Sequence, residues 1–120
     1  WLQDCLSQSL KASASDGKFQ QRINTLFAIN EVHPHLSTKF LNDHIYGEYM
    51  KLLACDPVPN IRFNYAKTAV QVYKLLSNSN KMHCSDTLKT MATSDADFDV
   101  MFFAAKALEQ TSGEQVQIGI

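Results

Sequence analysis

Cysteine is scarce in this 120-residue chain: Cys5, Cys55 and Cys84 are an odd number and form no Cys-x-x-Cys pair. That pattern argues against a disulfide framework, a thiolate zinc cage or dithiol exchange. Charge of one sign is also missing, since 11 Lys plus Arg against 12 Asp plus Glu leave a net charge of −1. No general attraction to phosphate backbones or anionic lipid is therefore expected, and neither nucleic acid nor membrane is read as a partner. Apolar runs are short, none approaching the roughly 20 residues of a spanning helix. The chain opens on Trp1, with neither a basic start before an apolar stretch nor a small-residue cleavage site. The expected setting is reduced and intracellular, cytoplasmic or nuclear, with the chain a segment of a longer one.

Only 3 prolines and 4 glycines punctuate the sequence, while 45% of it is hydrophobic, enough for a core. No stretch alternates apolar and polar residues with β-branched enrichment, so strands are not expected. Helical spacing recurs instead. Leu2, Cys5, Leu6, Ser9 and Leu10 share one face, as do Ile61, Tyr65, Ala69, Val72 and Leu76. Val100, Phe103, Ala104, Ala107 and Leu108 follow the i, i+3, i+4, i+7, i+8 pattern of an amphipathic helix. The fold class is all-α. In Asp56-Pro57-Val58-Pro59-Asn60 two prolines interrupt helix, so one helix should end near Cys55 and another begin at Asn60 or Ile61 with Asn60 as its cap. Ser94 to Asp99 should introduce a helix beginning at Val100. Ser37 or Asn42 is expected to cap a helix reaching about Ala54, Ser79 or Asn80 one reaching about Thr93, and Gly113 to end the last.

These pieces repeat. Asp16, Asp56 and Asp95 each stand before a short turn and a helix start, at intervals of 40 and 39 residues. Phe63 to Ala69 aligns with Phe102 to Leu108, and Ile23 to Leu26 with Phe63 to Ala66. A helix, a turn and a second helix at that period describe HEAT or armadillo arrays, here an α-solenoid of about three units of antiparallel helix pairs. The units span 1–36, 37–78 and 79–112, with a tail over 113–120. Within them Asp16, Asp56 and Arg62 are expected to form a structural ladder, a turn carboxylate meeting a guanidinium from a neighbouring unit. Arg22 is the equivalent of Arg62, divided between ladder and partner contact, and Met101 interrupts the series.

The run Asp56-Pro57-Val58-Pro59-Asn60-Ile61-Arg62-Phe63-Asn64-Tyr65-Ala66-Lys67 resembles the D-P-V-x-N-V-R-F-N-x-A-K signature of the A-type scaffold subunits of protein phosphatase 2A. Arg22 to Asn30 resembles the R-M-T-T-L-F-C-I-N stretch of the preceding repeat, and Asp97 to Leu108 the D-V-D-V-x-x-F-A-x-x-A-L run of the final one. The likeness covers roughly residues 1 to 112. It implies HEAT repeats forming a horseshoe, a non-catalytic scaffold, and a carboxy-terminal segment whose turns hold the phosphatase catalytic subunit. A regulatory B-type subunit would be held by repeats absent here. Carried over by position, the contact residues are Arg22, Val58, Asn60 and Met101. The chain departs from the family at Met101, where the family has Lys, and over Asn30 to Asn42. The alternative is another HEAT or armadillo-type adaptor that binds its partner on the concave helix face.

Sharper chemistry is weakly supported. His33-Pro34-His35 with Asp43-His44 lacks a second ligand cluster on a common helix, and Asp95, Asp97 and Asp99 lack the central glycine and bidentate Glu of a calcium loop. His83 and Cys84 are adjacent on a helix and point about 100° apart, which suits packing better than a base and nucleophile. Phe102, Phe103, Tyr46 and Tyr49 are read as inter-helix packing. No enzyme, cofactor or metal site is expected.

Overall fold

The computed structural model describes Asp4 and residues 19–113. The first amphipathic segment, Asp16 and the tail beyond Gly113 lie outside the described residues. Among the described residues five helices follow one another: α1 over Phe19–Val32, α2 over residues 38–53, α3 over Pro59–Val72, α4 over Asn78–Ser94 and α5 over Phe98–Thr111. No strand occurs among the described residues. α1 packs on α3 and α3 on α5, while α2 and α4 lie behind them and α4 packs on α5. This is an all-α solenoid of two helix layers.

Helix ends repeat at the level of single hydrogen bonds. α1 runs into a 3-10 turn, His33–His35, and α3 into another, Tyr73–Leu75. After each, an extended Leu (Leu36, Leu76) leads to a serine that caps the next helix, Ser37 accepting from Phe40 N–H at 3.1 Å and Ser77 from Asn80 N–H at 3.3 Å. Each hydroxyl satisfies an N–H that the first turn of a helix leaves free. The caps expected at Ser79 or Asn80 are thus displaced to Ser77, and Asn42 does different work. Its Nδ2 donates to Thr38 O at 2.9 Å and Leu75 O at 3.0 Å, and its Oδ1 accepts from Ser77 N–H at 2.7 Å and Asn80 Nδ2 at 2.9 Å. One amide side chain thereby ties α2 to the start of α4.

α2 is α-helical at Thr38–Phe40 and Lys51–Leu53 but π-helical over Leu41–Met50. Gly47 sits inside the wide stretch, where an added Cβ would lie 2.7 Å from the Asn42 carbonyl oxygen. A side chain there would collide with backbone that the Asn42 network holds in place, which accounts for glycine in a helix interior.

The apolar faces expected from spacing are where the core forms. Ile61, Tyr65, Ala69, Val72 and Leu76 are all buried, as are Val100, Ala104, Ala107 and Leu108, and Phe103 is half-buried against the ring of Phe63. Tyr46 and Tyr49 are buried too, so both are packing residues. Gly113, at φ +78°, ends α5 in the left-handed conformation that favours glycine.

Candidate functional site

The turns before α3 and α5 share one construction. Asp56 Oδ1 accepts from Val58 N–H at 2.9 Å, and Asp95 Oδ1 from Asp97 N–H at 2.9 Å. Such a side chain to backbone bond two residues on folds the chain into a tight turn. α3 then starts at Pro59, whose missing N–H costs nothing in the first turn, with Val58 at the cap position. α5 starts at Phe98, capped by Asp97, whose Oδ1 accepts from Val100 N–H at 3.1 Å. Both starts fall before the expected Asn60 and Val100. Asn60 is not the cap: it lies in the first turn of α3, its Oδ1 accepting from Asn64 Nδ2 at 3.2 Å.

Both aspartates also receive an arginine from the preceding helix of the same layer. Arg22, on α1, places Nε 2.8 Å from Asp56 Oδ2 and Nη2 3.4 Å from Oδ1. Arg62, on α3, donates Nε to Asp95 Oδ2 at 2.8 Å and Nη2 to Oδ1 at 3.0 Å. Its remaining nitrogen, Nη1, donates to the Asp56 carbonyl at 2.7 Å. The Arg62 and Asp95 side chains are only 15% and 8% exposed. The Asp95 hydrogen bond holds Arg62 above its ordinary pKa despite burial. Burial alone pushes the Asp95 carboxyl up, but the Arg62 hydrogen bond, the Asp97 N–H and the Arg62 charge together outweigh it and hold it below the usual value.

The site residues inferred from sequence therefore separate. Asp56 and Arg62 sit in this chain of ion pairs, and so does Arg22, while Asp16 lies outside the described residues. Val58 is half-buried and packs against the core, whereas Pro57, Pro59 and Asn60 are exposed on the outer side of the turn. Met101 is only 6% exposed and so offers little surface to a partner.

A second polar cluster lies in the interior, where spacing alone suggests only packing. Tyr46 OH is 2.9 Å from Tyr65 OH and 2.8 Å from His83 Nδ1. Burial raises the pKa of both phenols and of the neighbouring Cys84 thiol, and lowers that of His83 with help from the charge of Lys51. A thiol pushed up by burial stays protonated and is a poor nucleophile. The cluster joins α2, α3 and α4 through groups held neutral. His33 Nδ1 is 3.0 Å from Asn30 O, a satisfied connection in its 3-10 turn. Among the described residues no group of three or more His, Cys, Asp or Glu is placed to hold a metal, and no helix is long and apolar enough to cross a membrane.

These features define a class, an all-α solenoid whose successive turns are locked to one another by ion pairs. Comparison with known proteins points within that class. The chain is 40% identical over 63 residues to the A-type regulatory subunit of protein phosphatase PP2A from Schizosaccharomyces pombe, a match covering 52% of this chain and 10% of that protein. It is 31% identical over 98 residues to the protein of the same name in Saccharomyces cerevisiae, covering 77% of this chain and 15% of that one. The chain thus spans a small fraction of the relatives it matches, and both are named as regulatory subunits. No family model matches, and no solved structure does.

Proposed function

We propose that this chain is a non-catalytic scaffold segment that docks the catalytic subunit of a protein phosphatase 2A through the turns entering α3 and α5. The observation that carries this reading is the pair of like-built turns locked together by Arg62, together with the similarity to two A-type regulatory subunits. A surface held in register before binding loses little conformational freedom on docking, so a few exposed residues can supply affinity. Holding catalyst and substrate-selecting subunit on one frame makes their second encounter intramolecular and raises effective concentration. The B-type subunit would engage other repeats, and the assembly would work in the cytoplasm or nucleus.

The repeated caps and turns support division into three helical repeats over 1–36, 37–78 and 79–112. Within the ridge, Asn60 and Val58 are assigned to the partner, with the neighbouring prolines as rigid surface. Arg22 is assigned first to the ladder because it holds Asp56, and Met101 to packing because it is nearly buried.

The test is retention of the purified phosphatase catalytic subunit by the immobilised chain, wild type against Val58→Asp with Asn60→Glu. Loss of capture with unchanged helical circular dichroism and melting temperature supports the ridge. Equal capture by both proteins removes it and favours contact through the face of α1, α3 and α5.

A further inference from the structure

Away from the turns, the layer formed by α1, α3 and α5 carries a duplicated stripe. Phe63, Lys67 and Gln71 stand at i, i+4 and i+8 on α3, and Phe102, Lys106 and Gln110 repeat the same residues 39 positions later on α5. Each lysine lies over the aromatic ring one turn earlier, Lys67 Nζ 5.5 Å from the centre of Phe63 and Lys106 Nζ 5.6 Å from that of Phe102. Phe103 stands edge-on to Phe63 at 4.5 Å and to Phe102 at 5.4 Å, so the two stripes share one aromatic support. Between them is a cavity of about 230 Å³, with Ala66, Val70 and Ala107 as its apolar lining and Lys67 and Lys106 also contributing.

Both lysines are exposed, and among the described residues neither is paired with a carboxylate. Arg22 and Arg62 are held by aspartates and His44 lies against Glu48, so these carboxylates are engaged elsewhere. A ring beneath an ammonium restricts its rotamers while leaving its N–H donors free, so both cations are pre-positioned at the groove. The residue of α1 in register with them is Phe27, 50% exposed, which continues the series as an apolar position.

We propose that this groove binds an acidic segment of a protein partner in extended conformation, one carboxylate meeting Lys106, a second meeting Lys67, and an apolar side chain following toward Phe27. Charge complementarity selects the occupant, because two unpaired cations flank an apolar floor with no acidic side chain lining it. Packed helices lie about 8–10 Å apart, and an extended segment of polyproline II type advances about 3.1 Å per residue with three residues per turn, so carboxylates three residues apart share one face and span the gap. A nucleic-acid backbone is the less favoured occupant, since the chain carries a net charge of −1 and offers two lysines here rather than a basic stripe. The site is separate from the turn ridge and does not depend on the phosphatase reading.

The experiment is fluorescence anisotropy on the full chain at low salt. The probe is a fluorescein-labelled peptide carrying Glu-x-x-Glu followed three residues later by Phe; its Gln-x-x-Gln counterpart and a labelled oligothymidylate serve as comparators. The Glu peptide should bind about tenfold or more tightly than the Gln peptide and weaken with added salt. Lys67→Ala with Lys106→Ala should lose that advantage, Lys67→Arg with Lys106→Arg should keep it, and Asn60→Glu in the ridge should leave it unchanged. Equal binding of the two peptides, no binding to millimolar concentration, or an unaltered double-alanine variant overturns the proposal. Tighter binding of the oligothymidylate overturns it in favour of a phosphate-backbone surface.

Discussion

In the turn before α3, Asp56 meets Arg22 through one close contact of 2.8 Å and one long contact of 3.4 Å. In the turn before α5, Asp95 meets Arg62 at 2.8 and 3.0 Å, and the same guanidinium holds the Asp56 carbonyl at 2.7 Å. The second arginine fastens its own aspartate through two close contacts and the backbone of the neighbouring turn through a third. Arg62 is therefore a brace between turns, holding by its backbone the residue that opens Pro57 to Asn60 while its own aspartate anchors the next turn.

The largest effect should come from removing that brace. Exposed ion pairs contribute about 0–1 kcal/mol, but a largely buried, bidentate arginine leaves an uncompensated carboxylate behind, and Arg62→Ala should cost about 3 kcal/mol in urea unfolding. Arg22→Ala also strands a buried carboxylate, its pair with Asp56 being 12% and 8% exposed, but over a looser contact of 2.8 and 3.4 Å, and should cost about 2 kcal/mol in the same assay. Equal costs would erase the distinction between the turns.

Lysine substitutions sharpen it at smaller scale. A point charge cannot hold two carboxylate oxygens and a carbonyl in the plane of a guanidinium. Arg62→Lys should retain less than half of the stability that Arg62→Ala removes, and Arg22→Lys, whose second carboxylate contact is the longer one, a larger share by thermal melting. Full rescue by lysine at position 62 would reduce the brace to simple charge attraction.

Smaller still is the response to acid, where two groups act in separate windows. The His83 pKa is lowered from 6.5, so the unfolded state takes up the proton first, and stability that is present above that value declines as pH falls through the lowered pKa. The Asp95 pKa is lowered from 3.8, so the contribution of its pair is present above that value and is lost as pH falls through the lowered one. Unfolding free energy measured across pH should show both declines, with Asp95→Asn removing only the lower. Stability rising on acidification through either window would contradict the assignment.

Much of this arrangement is legible in the sequence. The recurrence of Asp before each turn, the apolar face of α5 and the terminating Gly113 all follow from local pattern, because a cap or an amphipathic face is decided within a few residues. The partner of each ladder arginine is harder to read. By spacing, Arg22 suits a partner protein as well as the ladder, since spacing cannot show that its guanidinium reaches Asp56, 34 residues on. Asn42 and Asn80 resemble caps because their type favours helix starts, yet the structure uses them to join helices 38 residues apart. The placement of Asn60 fails for a local reason: Asp56 folds the turn early and lets Pro59 open the helix. The Tyr46–Tyr65–His83 cluster has no signal, since aromatic residues at helical spacing look the same whether their polar tips meet or not.

The most direct test of the scaffold reading is site-specific photocrosslinking to the phosphatase catalytic subunit from two positions, the exposed Asn60 on the turn ridge and the exposed Lys67 on the helix face. Each would be replaced in turn by a benzophenone-bearing residue. The account predicts a covalent adduct with the catalytic subunit from position 60 and none from position 67. An adduct from position 67 alone would contradict it and move the phosphatase contact to the helix face.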